Sequence, residues 1–146
     1  MTSKLIPVSD ATIATIEARL SGSAVAGWFG TKVTANGDEH LYTLTFDEPH
    51  IGNPVIRALH GGVISAFLEH CATLEVLART PSDIAVRPIS VHTSYLRGSR
   101  DTDFTVSVAI QRIGRRIAFV EARGWQGNRD EEVASAQIAL RLFEDE

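Results

Sequence analysis

The residues best suited to chemistry lie in one stretch, where His60, Gly61 and Gly62 are followed by Glu69. Two adjacent glycines are unfavourable inside a helix, but they let another molecule approach the backbone closely. Free N–H groups in the first turn of a helix, aided by the helix dipole, suit a negatively charged oxygen or a phosphate. A partly desolvated glutamate can have a raised pKa and act as a general base or a nucleophile. The stretch therefore indicates an anion-binding backbone with a reactive carboxylate nearby in the sequence.

A long helix is needed to position these residues. Apolar residues keep helical spacing from about His60 to Arg79, and Thr80-Pro81 ends the pattern. Glu69 shares a second, mostly small-residue face with Ser65, Ala72, Thr73 and Val76, which suits close contact with another helix or a ligand. The alternatives are a glutamate that faces solvent and a glycine pair that only permits tight packing.

The spacing of His60 and Glu69 limits how they can act together. Nine residues of helix correspond to ~900° of rotation and ~13.5 Å along the axis, so the two side chains lie half a turn out of phase. The Gly61 amide and the Glu69 carboxylate of one chain therefore cannot converge on one carbonyl carbon. Two antiparallel copies of the helix could bring Gly61 of one chain near Glu69 of another. If both residues are catalytic, the site is shared across a two-fold dimer interface.

The rest of the pattern predicts one more helix and six strands. Ser9 or Asp10 can cap a first helix that runs to Leu20, and Gly22 stands where it should end. Asn36-Gly37 favours a hairpin, and residues 47–59 are predicted to be a loop. The strand-like runs cover residues 28–34, 41–46, 89–96, 104–110, 117–125 and 133–143. One long helix against a six-stranded, mostly antiparallel sheet is an α+β arrangement, and its free sheet edges favour self-association.

Composition excludes several classes of protein. The 146 residues fit a single domain, 1–146, with residues 1–22 as an N-terminal helical extension. A net charge of −4 argues against nucleic-acid binding. Cys71 is the one cysteine, and no Cys or His pair has metal-site spacing, so neither a disulfide nor a metal is expected. The N-terminus lacks a signal-peptide core, and no apolar run approaches the ~20 residues of a membrane span. We expect a soluble cytoplasmic protein with no membrane partner.

The ordered motifs resemble a known enzyme family. His-Gly-Gly, an acidic residue nine positions after the His, and this order of elements are similar to the PaaI-type branch of the hot-dog thioesterases. The segments 91–97 (VHTSYLR) and 114–121 (GRRIAFVE) add to the resemblance, which extends from about Trp28 to Phe143. It implies a hot-dog fold, in which a long central helix is wrapped by a mostly antiparallel sheet. It also implies hydrolysis of an acyl- or aryl-CoA thioester to the free acid and coenzyme A, with no cofactor apart from the coenzyme A of the substrate.

The resemblance assigns roles to individual residues. Glu69 would be the nucleophile or the base that activates water, and the Gly61 N–H would stabilise the oxyanion that develops on the thioester carbonyl. His60 would shape the loop and help to position that oxygen, and Gly62 would contribute to substrate binding. Thr73, four residues after Glu69, matches a hydroxyl that assists in some members. The family is commonly dimeric or a dimer of dimers.

Two positions depart from the family pattern. Pro54 stands where members often have Asn or Gln, six residues before the His, and the adjacent Asn53 is the candidate substitute. Pro88 stands where some members have a hydroxyl residue, and Ser90 or His92 are the candidates to compensate. These departures keep open a second hypothesis, a non-catalytic protein that binds or senses acyl-CoA.

Basic residues provide a candidate site for the phosphates of coenzyme A. They are Arg97, Arg112, Arg115 and Arg116. Guanidinium groups bind phosphate in bidentate fashion, although a single turn arginine is more often solvated. A hot-dog hydratase or dehydratase is a third hypothesis, but it would require a catalytic His–Asp or His–Glu pair, for which the sequence offers no motif. Cys71 is expected to be a packed core thiol.

Overall fold

The computed structural model describes residues 5–144, which form three helices and eight strands. The helices are α1 (Asp10–Ser21), α2 (Ala24–Phe29) and α3 (Gly61–Arg79), and Glu48–His50 forms one 3-10 turn. The strands are β1 (Lys32–Asn36), β2 (Glu39–Leu44), β3 (Ile51–Asn53), β4 (Ala58–Leu59), β5 (Ile84–Tyr95), β6 (Phe104–Ile113), β7 (Ile117–Trp125) and β8 (Glu132–Glu144). The predicted first and central helices, the hairpin and the four C-terminal strands are confirmed.

Six strands form one antiparallel sheet around α3. Their order is β1-β2-β6-β7-β8-β5, while β3 and β4 pair separately beside the start of α3. Alternate residues of β7, such as Ala118, Val120 and Ala122, are fully buried and face the helix, as period-2 patterning requires. The long strand β5 pairs only with β8, so its other edge is unpaired within the described residues.

Helix α3 is the centre of the core. Phe67, Leu68, Cys71 and Val76 are completely buried, and the helix contacts β2, β5, β6, β7 and β8. Within residues 5–144, α3 is also the one helix whose length and mean hydropathy of 1.2 would suffice to cross a membrane. Its packing inside the sheet explains that apolar character. The prediction that Cys71 is a packed thiol is confirmed, and burial raises its pKa.

A buried polar network connects α1 to α3. The Glu75 Oε1 atom accepts a hydrogen bond from the Tyr42 hydroxyl at 2.7 Å and lies 2.8 Å from His40 Nδ1. His40 Nε2 lies 2.8 Å from the Thr12 hydroxyl, and Arg79 donates to Glu75 Oε2 at 3.0 Å. Ser9 caps α1, as predicted. Because each of these buried groups has a partner, the polar atoms do not carry the cost of unpaired burial.

The sequence-based assignment of residues 28–34 to one strand is wrong at its beginning. Trp28 and Phe29 belong to α2, which Ser23 caps and which ends at Gly30 with a left-handed φ of 63°. Because the aromatic pair favours a strand by propensity, it concealed the stronger signals of a capping serine and a terminal glycine.

Two other boundaries also differ from the prediction. The predicted loop at 47–59 contains the 3-10 turn and the β3–β4 pair. Strand β5 begins at Ile84, five residues before its predicted start, and Pro88 lies within it at a register shift between Pro88 and Ser90. Proline is tolerated there because β5 is an edge strand and the shift relieves the pairing.

Candidate active site

The first turn of α3 presents a free N–H group. His60 is the N-cap residue, and its carbonyl accepts from the N–H groups of Val63 and Ile64 at 3.0 and 3.1 Å. Because the C=O and N–H of a trans peptide point in opposite directions, the Gly61 N–H points out of the helix. No acceptor for it lies among residues 5–144. The helix therefore begins with an unpaired donor at its positive end.

The His60 ring is fixed by its own helix and by β3. Its Nδ1 atom accepts from the Gly62 N–H at 2.9 Å, so this nitrogen carries no proton, and the neutral ring carries its proton on Nε2. A Cβ atom on Gly52 would lie 2.6 Å from the Cα of His60. Strand β3 can therefore pass against the N-cap only because residue 52 is glycine.

Helix α3 and strand β5 run antiparallel, and their side chains meet along the length of both. At one end the Tyr95 hydroxyl donates to the Gly61 carbonyl at 2.7 Å. In the middle the hydroxyls of Ser65 and Thr93 lie 2.6 Å apart. At the other end Pro88 lies beside the turn of α3 that carries Glu69. The small-residue face of the predicted helix is therefore the face toward β5.

Glu69 lines a cavity of about 310 Å³ between α2, α3 and β5. The other lining residues are Val25, Phe29, Ala66, His70, Thr73 and Pro88. Glu69 is half-buried, and its carboxylate makes no hydrogen bond or ion pair with any residue from 5 to 144. A carboxylate with free lone pairs beside a mostly apolar cavity can accept a proton or attack an electrophilic carbon.

Gly61 and Glu69 belong to different surfaces of the same chain. Eight residues of helix separate them by ~12 Å along the axis. The N-terminal turn, with its free N–H, does not line the cavity that contains Glu69. One chain therefore brings together Glu69, Thr73 and Pro88, and separately His60, Gly61 and Gly62, without joining the two groups.

Two of the predicted assisting residues are engaged in local contacts. The Thr73 hydroxyl lines the cavity, but it donates to the Glu69 backbone carbonyl at 2.9 Å and not to the carboxylate. The Asn53 side-chain oxygen accepts from the N–H groups of Val55 and Ile56, as in an Asx turn, and the residue is exposed. Pro88, which stands where some family members have a hydroxyl residue, is part of the cavity wall.

Three of the four candidate phosphate-binding arginines come together. Arg112, Arg115 and Arg116 line a surface cavity of about 410 Å³ with Ile117 and Phe119. Arg97 does not join them within one chain, because its N–H bonds to Val133 at the start of β8. The arginine cluster lies at the other end of β8, where Ile117 pairs with Arg141. Val133 and Arg141 are eight residues apart, or ~26 Å along the strand.

Sequence reasoning missed His70 and α2 as parts of the cavity wall. The His70 ring packs against Phe29 and Phe67, with ring centroids 5.2 and 5.9 Å away, and its Nε2 lies 3.1 Å from the Thr31 hydroxyl. Burial lowers the pKa of His70 from 6.5 to about 4, so the ring is neutral at physiological pH. The cavity wall beside Glu69 is therefore aromatic and uncharged.

A His–Glu pair does exist, in the His40–Glu75 contact. Both side chains are almost completely buried, at 0% and 2% exposure, so no substrate can reach them. Their 35-residue separation explains why no local motif indicated the pair. The pair is part of the network that joins α1 to α3 and gives no support to a hydratase.

Comparisons with known proteins identify the family. A family model of the acyl-CoA thioesterase N-terminal domain matches residues 50–141, which include the first turn of α3, Glu69 and the arginine cluster. No curated protein matches the sequence significantly.

Solved structures show the same fold. A thioesterase from Haemophilus influenzae has a TM-score of 0.79 at 20% identity, covering 90% of this chain and 90% of that one. A phenylacetic acid degradation-related protein from Ralstonia eutropha JMP134 has a TM-score of 0.76 at 21% identity, covering 87% and 98%. A thioesterase family protein from Silicibacter pomeroyi has a TM-score of 0.78 at 14% identity, covering 91% and 98%. The fold and the family predicted from the sequence are both confirmed: the chain belongs to the acyl-CoA thioesterase family and is a thioester hydrolase with the hot-dog fold.

Proposed function

We propose that the protein hydrolyses acyl- or aryl-CoA thioesters at a site made by two chains, with Gly61 from one and Glu69 from the other. The observation that carries the proposal is the unpaired Gly61 N–H at the start of the helix whose cavity-lining Glu69 lies ~12 Å further along. A donor for the carbonyl oxygen and an activating carboxylate must both lie within hydrogen-bonding reach of the reacting groups. Antiparallel pairing of two α3 helices satisfies that requirement twice in each dimer.

The surface next to the first turn of α3 supports self-association. Strand β5 is 12 residues long and unpaired along one edge within residues 5–144. Tyr95 and Leu96 at its end are more than half exposed, as are Val55 and Ile56 in the turn that precedes α3. A long edge strand flanked by apolar side chains favours pairing with another chain. Whether two dimers associate further stays a prediction, as does the cytoplasmic location.

The proposed chemistry has two forms that the geometry serves equally. In the first, the Glu69 carboxylate takes a proton from water while the resulting hydroxide attacks the thioester carbonyl. In the second, Glu69 attacks the carbonyl itself, and water then cleaves the anhydride. In both, negative charge develops on the carbonyl oxygen, where the Gly61 N–H donates, and the C–S bond breaks as the carbonyl re-forms. The departing sulfur takes a proton, from Glu69 in the first form and from water in the second, and leaves as coenzyme A. The Nε2–H of His60 is available to hold the same oxygen.

The two cavities fit the two parts of such a substrate. The cavity beside Glu69 suits an acyl or aryl group, because Phe29 and His70 give it an aromatic, uncharged wall. Its volume of about 310 Å³ favours a compact group. Arg112, Arg115 and Arg116 suit the phosphates of coenzyme A, and the exposed Phe119 beside them offers a surface for the adenine ring. Asn53 and Arg97 keep a supporting role only if the partner chain places them next to these groups.

Removing the carboxylate tests the role of Glu69. We expect Glu69→Gln to lower kcat for acyl-CoA hydrolysis by roughly 10²-fold or more, because a positioned base typically contributes that much. Thiol release from a panel of aryl, medium-chain and long-chain acyl-CoAs measures it. Glu17→Gln, an exposed helical position on α1, is the matched control and should keep full activity. Normal turnover by Glu69→Gln would exclude the proposed role.

Mixing two inactive variants tests whether the site is shared. Gly61→Pro removes the N–H donor with little strain, because proline is favoured in the first helical position and His60 already has the extended backbone that precedes proline. In a dimer of Gly61→Pro and Glu69→Gln chains, one site recovers both intact residues. Random mixing should therefore restore roughly a quarter of wild-type activity. No recovery after subunit exchange, confirmed by native mass spectrometry, would place the site within one chain.

A non-catalytic role in binding acyl-CoA is the second candidate. Pro88 in the cavity wall and the backbone-bonded Thr73 hydroxyl favour it, because both leave Glu69 without an assisting hydroxyl in its own chain. Calorimetric binding of acyl-CoA without thiol release over the whole panel would support this alternative. Turnover that depends on Glu69 would exclude it.

A further inference from the structure

The peptide group that joins Gly61 to Gly62 is held at both ends. Its C=O accepts from the Tyr95 hydroxyl at 2.7 Å, and its N–H donates to His60 Nδ1 at 2.9 Å. The preceding peptide is held by Val63 and Ile64, whose N–H groups bond to the His60 carbonyl. Of the polar groups in these two successive peptides, only the Gly61 N–H lacks a partner among the described residues.

The Tyr95 ring also covers Gly61. A Cβ atom built on Gly61 would lie 3.4 Å from the Cε1, Cζ and Oη atoms of Tyr95. The Tyr95 ring therefore lies directly over the Cα of the glycine. Tyr95 lies on β5, and its backbone position is fixed by pairing with Ala134 of β8. The contact therefore ties the start of α3 to the rigid sheet across 34 residues of sequence.

A Gly-Gly sequence at a helix start requires such a restraint. Glycine has the greatest backbone freedom of any residue, and the first turn of a helix is where fraying begins. A donor stabilises a developing oxyanion best when its direction is fixed before the reaction, so that no reorganisation is needed in the transition state. The helix holds the Gly61 carbonyl through its own i→i+4 bond, but not from the side of β5. Tyr95 restrains it from that side.

We propose that Tyr95 is a positioning residue, which fixes the direction of the Gly61 N–H through the hydrogen bond to the Gly61 carbonyl and the packing of its ring. This inference rests on the proposed function, in which that N–H binds the thioester oxygen. Tyr95 itself does not touch the reacting atoms. Its hydroxyl acts on the orientation of the donor, so its loss reduces transition-state stabilisation and leaves substrate affinity unchanged.

Tyr95→Phe removes the hydroxyl and keeps the ring. We expect kcat to fall about tenfold, a fraction of the 10²–10³ that loss of a whole oxyanion donor costs, with KM within twofold of the wild type. In the Gly61→Pro background the donor is already absent, so Tyr95→Phe should change kcat less than twofold. That loss of effect in the double variant is a result that a merely structural role would not produce. Thr15→Val, which removes an exposed hydroxyl from α1 away from this surface, is the matched control.

A measurement without substrate separates this inference from the proposed function. Hydrogen exchange at the Gly62 amide, followed by NMR, should accelerate in Tyr95→Phe because the Gly61 carbonyl then keeps only its bond within α3. Absence of wild-type turnover would refute the proposed function and leave Tyr95 with nothing to position. Wild-type turnover with an unchanged kcat in Tyr95→Phe would refute the inference alone. A parallel change of kcat and KM with a lower melting temperature would also refute it, since that pattern indicates loss of fold.

Discussion

The neutral, buried ring of His70 makes a quantitative prediction about stability and pH. Burial lowers its folded-state pKa to about 4, against an ordinary value of 6.5. Between these two values the unfolded chain binds more protons than the folded one, so acid favours unfolding. The contribution of His70 is fully present above pH 6.5 and is lost progressively as the pH falls toward 4. The stability lost is about 2 kcal/mol at pH 5 and about 3 kcal/mol at pH 4, and solvent screening of the partly exposed ring reduces both values.

The assay compares the wild type with His70→Phe, whose ring can take the same place between Phe29 and Phe67. Free energies of unfolding in urea are measured at one protein concentration and at pH 7.5, 6 and 5, with tryptophan fluorescence as the signal. The quantity used is the change with pH of the difference in free energy of unfolding between the two proteins. The loss of the Thr31 contact in His70→Phe adds a constant to that difference and therefore cancels. We expect the wild type to lose about 2 kcal/mol relative to the variant between pH 7.5 and 5. A flat difference would refute the reasoning, and one of opposite sign would show that His70 is protonated beside Glu69.

Two further changes give separable results. Glu75→Ala should lower the free energy of unfolding by about 3 kcal/mol or more, because it leaves the buried His40 and Tyr42 and the partly buried Arg79 without the carboxylate that they share. Urea titration beside the exposed Glu131→Ala checks this, and a loss below about 1 kcal/mol would contradict it. The double change Arg115→Ala and Arg116→Ala should raise KM for acyl-CoA roughly tenfold at unchanged kcat, by removing phosphate contacts. KM for the matching acyl-pantetheine, which lacks these phosphates, should not change, and Arg19→Ala is the control variant. An equal rise in KM for both substrates would refute the assignment of the arginines to phosphate binding.

Local patterns predicted the elements that have one dominant signal. The apolar spacing between Ile64 and Ala78 located α3 to within a residue, and the strand predicted at 117–125 has those bounds in the structure. Segments with competing signals were assigned incorrectly. Trp28 and Phe29 have strand propensity but lie in a capped helical turn, and Pro88 hid the first residues of β5 because proline is rare in central strands but permitted at an edge.

The candidate site divides in the same way. His60, Gly61, Gly62 and Glu69 were predicted as site residues because they lie in one short motif, and helix geometry predicts a second chain if they act together. Other contacts around these residues join positions far apart in sequence, such as Tyr95 with Gly61 and His70 with Thr31. No spacing rule encodes such pairs, because they arise only when the sheet closes around α3.

The buried network beneath α1 determines how small a functioning fragment of this chain can be. The family match covers residues 50–141 and omits β1 and β2. A fragment cut to those limits would lose His40 and Tyr42 and would expose the face of α3 that β2 covers. Among residues 5–144, Arg79 would then be the one remaining side-chain partner of Glu75. A cut after Ser21 alone would remove Thr12, so the His40 Nε2 atom would lose its contact with the Thr12 hydroxyl. We therefore expect a stable fragment to need β1, β2 and α1 in addition to the stretch that the family model matches.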